Sequence, residues 1–145
     1  MTGGCRPETA DFLIIPKQVL DEMLSHCKAG LPNEACGILA GRGNEVSKIY
    51  AMSNIENSPV SYLMDSGEQF RAMKDMRANN VEMVAIFHSH PSSAAYPSPK
   101  DVNLAFYEEA VYLIVSLASG EPVVKGFTIR EKEILETEIV VKDAG

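Results

Sequence analysis

Apolar residues fall into short runs and helical stripes along this chain, a pattern typical of a mixed α/β domain. Two long helices are predicted where apolar residues recur every three or four positions, over residues 16–29 and 66–78. The predicted strands cover residues 12–15, 35–40, 46–52, 62–64, 81–87, 111–117, 123–129 and 134–141. The run at 81–87 is almost wholly apolar, so we expect it at the centre of the sheet.

Capping residues mark where the two later helices begin. Ser66, with Gln69 three residues further on, predicts a capping box. The buried face of that helix is expected to carry its larger apolar side chains, Phe70, Met73 and Met76. A short third helix is predicted from Pro99 to about residue 108, with Ser98 as its N-cap.

Turn residues between the predicted strands indicate hairpins, at 41–44 and around 131–133. The sheet is therefore expected to be mixed and mostly antiparallel, with helices flanking it. A chain of 145 residues is one domain's worth and contains no repeat or linker. Residues 1–10 are expected to be a flexible N-terminal tail, and residues 11–145 a single domain of the α/β class.

Composition and charge exclude several classes of function. The net charge of −7 argues against a general nucleic-acid binder, which needs a basic face. No apolar run approaches the roughly 20 residues of a membrane span, and the N-terminus carries no export signal. The three cysteines form neither a Cys-x-x-Cys pair nor an even framework. A cytoplasmic setting is therefore expected.

Two of the chain's three histidines, His88 and His90, stand two residues apart at the end of the central apolar run. Side chains at such positions of a strand point to the same face, so both imidazoles can bind one ion. Asp101, in the first turn of the short helix, is a plausible third ligand. Three ligands and an open position are what a catalytic zinc ion requires. The alternative, two structural histidines, stays open on this evidence alone.

A zinc site that hydrolyses amides also needs a carboxylate that does not bind the metal, because the attacking water must lose a proton. Glu34 fits that role if the strand at 35–40 lies beside the histidine strand; otherwise it is an ordinary solvated glutamate. Ser98 either stabilises the developing oxyanion or only caps its helix, two roles that are expected to compete for one hydroxyl.

The order of these residues resembles the signature of the JAMM (MPN-plus) metallopeptidases. His88-x-His90-Pro91, Ser98 and Asp101 fill the motif, and the segment 32–41 resembles the part of the family that carries the catalytic glutamate, here Glu34. The resemblance implies a JAMM domain over residues 11–145, with a cytidine-deaminase-like three-layer fold. It also implies one zinc ion held by His88, His90 and Asp101, with Glu34 as general base and Ser98 at the oxyanion.

The resemblance also implies an activity: a peptidase or isopeptidase that cleaves after the C-terminal Gly-Gly of a ubiquitin-like protein. The chain is short, and its 95–98 loop is similar to the corresponding loop of the compact prokaryotic members. Small sulfur carriers are therefore the expected partners. Two alternatives remain: a metal-free MPN-type interaction module without catalysis, and a cysteine hydrolase that uses Cys36 with His88. The oligomeric state is left open.

Overall fold

Seven strands and three helices make up the part of the chain that the computed structural model describes, residues 12–143. The strands are β1 Phe12–Pro16, β2 Cys36–Arg42, β3 Glu45–Met52, β4 Glu82–His90, β5 Val111–Ser116, β6 Val123–Arg130 and β7 Glu133–Lys142. The helices are α1 Lys17–Ala29, α2 Ser66–Ala78 and α3 Pro99–Asn103. The predicted tail at residues 1–10 lies outside the described residues.

The sheet is mixed, as predicted, and it closes on itself. Its order is β1-β3-β2-β4-β5-β6-β7, and β1 pairs in parallel with both β3 and β7. The pairs β2/β3, β2/β4, β5/β6 and β6/β7 are antiparallel, and β4/β5 is parallel. The α/β class is therefore confirmed, whereas the sequence did not predict closure. The cytidine-deaminase-like detail stays a prediction.

Residues of β4 alternate between two faces of the sheet, as the pleat of a strand requires. Phe87 belongs to the apolar cluster that α1 covers, together with buried Met23 and Cys27. Ile86 belongs to a cluster on the opposite face, beneath the loop and short helix that follow β4. His88 and His90 share the parity of Ile86, so the histidines face the side away from α1.

Strand β2 lies close against β4, and Gly37 permits this approach. Gly37 is opposite Phe87 in the register, and a Cβ at Gly37 would clash with the Phe87 ring and with the Tyr50 carbonyl. The same register pairs Cys36 with His88. The segment just before β2 is therefore fixed beside the histidine strand.

Several local predictions were wrong. Helix α2 is capped by Asp65, whose side chain accepts from the backbone N–H of Glu68, one residue before the predicted cap. Phe70 is 65% exposed, because the buried side of α2 is formed by Ala72 and Met76. Helix α3 ends at Asn103 rather than near residue 108. Residues 62–64 form no strand, and Met64 makes only an isolated antiparallel bridge to Asn54, just after β3. Within residues 12–143, no helix is long and apolar enough to cross a membrane.

Candidate metal centre

Three potential ligand atoms converge where β4 ends. The Nε2 atoms of His88 and His90 are 3.2 Å apart, and Asp101 Oδ2 lies 3.2 Å from the first and 3.1 Å from the second. Ligands at about 2.05 Å from a tetrahedral ion lie roughly 3.3 Å from one another. The spacing and the donor set of two imidazoles and one carboxylate fit a metal ion, and these are the three residues that the sequence predicted as ligands.

The two histidines are oriented by different contacts. The Nδ1–H of His90 donates to the Ala94 carbonyl at 2.8 Å, which leaves the lone pair of Nε2 for a metal. His88 Nδ1 is buried without a hydrogen-bond partner among the described residues. Its ring is instead stacked on Tyr62, with centroids 4.6 Å apart and planes 23° apart. One ligand is therefore held by a hydrogen bond and the other by an aromatic contact.

The electrostatics of the three residues favour a neutral His88 beside an ionised carboxylate. Burial lowers the pKa of His88. For His90, burial opposes the charge most strongly, but the hydrogen bonds with Asp101 and the Ala94 carbonyl, together with the nearby negative charges, outweigh it and raise the pKa. Burial alone would raise the pKa of Asp101, yet its hydrogen bonds with both histidines hold that pKa far below its usual range. Asp101 is therefore an anion at any pH at which the histidines are neutral.

Helix α3 places Asp101 through a capping box. Ser98 Oγ accepts from the Asp101 backbone N–H at 3.1 Å, and Asp101 Oδ2 accepts from the Ser98 backbone N–H at 2.9 Å. A hydroxyl oxygen that accepts still has its own proton to donate. The capping role of Ser98 is therefore confirmed and leaves its proton free, whereas its contact with the oxyanion stays a prediction.

Glu34 stands just before β2, and it is not part of the cluster of potential ligand atoms formed by His88, His90 and Asp101. It is buried, and its Oε1 has no hydrogen-bond partner among the described residues. Its backbone is fixed at both ends, since its N–H donates to Ser58 and its carbonyl accepts from Asn54. Burial raises the pKa of Glu34 to about 7. The carboxyl can thus accept and release a proton near neutral pH.

Cys36 is the residue that a cysteine hydrolase would need. Its thiol is buried and donates to the Ser53 carbonyl at 3.8 Å. Burial raises the pKa of Cys36 to about 12, so the thiol stays protonated at neutral pH. Because the thiolate is the nucleophilic form, this environment disfavours the cysteine alternative.

Sequence reasoning missed the residues that surround the ligands. Tyr62 was assigned to a strand, and nothing in its neighbours signals a stack on a distant histidine. Lys100 and Glu56, whose charged atoms lie 3.9 Å apart, connect α3 to the loop before α2. The one sequence signal for Lys100 was its position directly before Asp101, a predicted ligand.

Comparisons with known proteins agree with this geometry. A protein named CysO-cysteine peptidase from Mycobacterium tuberculosis is 38% identical over 113 residues, which cover 77% of each chain. A protein named desampylase from Pyrococcus furiosus is 37% identical over 131 residues, 90% of this chain and 91% of that protein. These relatives confirm the predicted class of enzyme, a peptidase.

The chain also matches a solved structure and a family model. The solution structure of a protein from Desulfitobacterium hafniense matches with a TM-score of 0.83 and 43% identity, over 90% of this chain and 93% of that one. The family described as prokaryotic homologs of the JAB domain matches residues 16–130, which include every candidate site residue. The predicted resemblance is confirmed, and the chain belongs to this prokaryotic JAB family.

Proposed function

We propose that this protein is a zinc-dependent peptidase or isopeptidase that hydrolyses the amide bond after the C-terminal Gly-Gly of a ubiquitin-like sulfur carrier. His88, His90 and Asp101 hold one zinc ion, Glu34 is the general base and Ser98 contacts the oxyanion. The observation that carries the proposal is the convergence of three potential ligand atoms, 3.1–3.2 Å from one another. The buried carboxyl of Glu34, whose Oε1 has no hydrogen-bond partner among the described residues, is separate from these three.

Glu34 performs the proton transfers of the reaction. A bound zinc ion supplies a Lewis acid and a water whose pKa is near 7. Glu34 takes the proton of the attacking water and delivers it to the departing amine, for which a pKa of about 7 is well matched. The C–N bond breaks, the water oxygen remains on the glycine carbonyl carbon, and the amine leaves neutral.

Ser98 is placed to act on the carbonyl oxygen of the substrate. Its oxygen accepts from the Asp101 backbone N–H, which leaves its own proton free to donate. A donor that is already ordered by a cap stabilises negative charge without reorganising during the reaction.

The substrate class rests on the relatives. Proteins named CysO-cysteine peptidase and desampylase act on adducts of small carrier proteins, and each covers most of this chain. Cys27 and Cys36 are both free thiols, which agrees with a reducing cytoplasm as the place of action.

The test is hydrolysis of a panel of carriers by the zinc-loaded protein. Ubiquitin and several bacterial sulfur carriers are each prepared with one alanine after Gly-Gly, and release of alanine is measured. We expect a chelator to abolish cleavage of at least one carrier and a thiol alkylator to leave it intact. A protein that contains one zinc per chain and cleaves no member of the panel would instead be an MPN-type interaction module.

A further inference from the structure

A lysine and a glutamate form an exposed ion pair between α3 and the loop that follows β3. Lys100 occupies the second position of α3, directly before the ligand Asp101. Its Nζ lies 3.9 Å from Glu56 Oε1, and Glu56 is held by the Ser61 hydroxyl at 2.6 Å. The loop that carries Glu56 also fixes Glu34, whose backbone N–H donates to the Ser58 carbonyl and whose backbone carbonyl accepts from the Asn54 side chain. Lys100 therefore reaches from α3 to the loop that holds the group that protonates the amine.

The Lys100 ammonium is available for a ligand. Its distance to Glu56 exceeds a hydrogen bond, and the two side chains are 54% and 39% exposed. Exposed ion pairs of this kind contribute little to stability, so Lys100 can exchange Glu56 for the carboxylate of a ligand at little cost in free energy. A lysine side chain has a flexible four-carbon stem that can follow a ligand over several ångströms.

The chemistry of the leaving group places a second carboxylate in this region. The departing nitrogen must come within hydrogen-bond reach of Glu34 to receive its proton. If the leaving group is a single amino acid, its carboxylate carbon is only about 2.5 Å from that nitrogen, by the bond lengths and angle at Cα. Near the loop that fixes Glu34, that carboxylate would come close to Glu34 and Glu56, both acidic, and Lys100 is a neighbouring cation that can neutralise it.

We propose that Lys100 binds the α-carboxylate of the departing amino acid, so that the enzyme favours carriers with one amino acid after Gly-Gly over isopeptide-linked conjugates. An isopeptide leaving group is a lysine side chain, which has no carboxylate next to its nitrogen. This inference rests on the proposed function and adds the leaving-group specificity of the same site. Glu56 lies opposite Lys100 when no substrate is bound, and their weak ion pair leaves the ammonium free to bind the ligand.

The experiment compares three adducts of the carrier that the zinc-loaded wild type cleaves fastest. One has alanine with a free carboxylate after Gly-Gly, the second has alanine carboxamide, and the third has a lysine joined through its side chain. We expect kcat/KM for the free acid to exceed that for the carboxamide by about tenfold, the typical value of one charge-assisted hydrogen bond. The isopeptide adduct should resemble the carboxamide.

Variants assign this preference to Lys100. Lys100→Met should reduce the ratio of free acid to carboxamide at least fivefold, and Lys100→Arg should retain most of it. Lys74→Met, on the exposed face of α2, is the matched control and should leave the ratio unchanged. Inhibition by free alanine gives a readout of binding alone, and its inhibition constant should rise by a similar factor in Lys100→Met.

The ratio is insensitive to any general loss of activity, because zinc content and folding affect both substrates equally. A wild-type ratio near one, or a Lys100→Met ratio equal to that of wild type, overturns the inference while the peptidase function stands. If the zinc-loaded wild type cleaves none of the adducts, the proposed function fails, and the inference fails with it.

Discussion

The site has a strand side, formed by His88 and His90 of β4, and a loop side, formed by Glu56 and Lys100 outside the sheet. The two sides differ in burial and in the contacts that hold their side chains. On the strand side, His88 and His90 are 1% and 4% exposed and are held by the register of β4 with its neighbours. On the loop side, Glu56 and Lys100 are largely exposed and are joined only by a long ion pair. Rigid strands position the metal ligands, whereas exposed side chains on loops are suited to contact a substrate that must enter and leave.

The two histidines on the strand side are held by different kinds of contact. His90 is oriented by a hydrogen bond to the Ala94 carbonyl, and His88 by its stack on Tyr62. Tyr62 belongs to the segment between β3 and α2, so the loop side supports one of the strand-side ligands. We therefore expect substitutions on the strand side to remove the metal, and most substitutions on the loop side to change turnover or the affinity for zinc or substrate.

The largest effect is expected from removing a ligand on the strand side. His88→Ala or His90→Ala should each lose bound zinc and all measurable turnover, because two remaining ligands do not hold a catalytic ion. Zinc content and hydrolysis are measured on one preparation. His26→Gln changes the histidine outside the cluster and should retain zinc. Near-stoichiometric zinc in both alanine variants would contradict the ligand assignment.

Glu34 should separate chemistry from metal binding. Glu34→Gln keeps the shape of the side chain but cannot accept a proton, so turnover should fall by about 10²–10⁴-fold with zinc retained. Melting temperature and zinc content identify variants that fail for other reasons, and Glu22→Gln on the exposed side of α1 is the control. Activity within about threefold of wild type would refute the general base, and loss of zinc would reopen the role of Asp101.

The stack beneath His88 tests whether the loop side supports the metal. Tyr62→Leu should weaken zinc binding about tenfold, since supporting contacts orient a ligand, and the Nδ1 atom of His88 has no hydrogen bond among the described residues. Tyr62→Phe keeps the ring and should bind zinc within about threefold of wild type. Competition with a chelating dye measures both affinities. Equal affinities for the leucine and phenylalanine variants would show that the stack has no such role.

The smallest effect concerns the stability of the metal-free protein. The pKa of Glu34 is raised from 4.5 to about 7, so folding favours its protonated form, and ionising it destabilises the protein as pH rises through that window. Glu34→Gln avoids this cost, and should therefore melt at least about 3 °C higher than wild type at pH 8 but not at pH 4. Thermal unfolding in a chelator measures the difference, for which Glu22→Gln is again the control. A difference that is the same at both pH values would contradict the assignment.

Much of the site was predictable because its signals are local. Alternation along a strand places His88 and His90 on one face wherever the strand lies, and the order Ser98, Pro99, Asp101 predicts a helix start in any context. The apolar period likewise located most helices and strands. Phe70 shows where such reasoning fails, because the buried side of α2 depends on which part of the helix meets the sheet.

The sequence by itself determined the candidate ligands, the two long helices, the alternating strand that carries the histidines and the family resemblance. Each of the structural features depends on backbone geometry that neighbouring residues impose on one another. Only the tertiary structure decided that β1 closes the sheet, that Glu34 is buried, that Tyr62 stacks on His88 and that Lys100 lies near Glu56. These contacts join residues far apart in the chain, and their formation depends on the packing of the whole domain rather than on any local pattern.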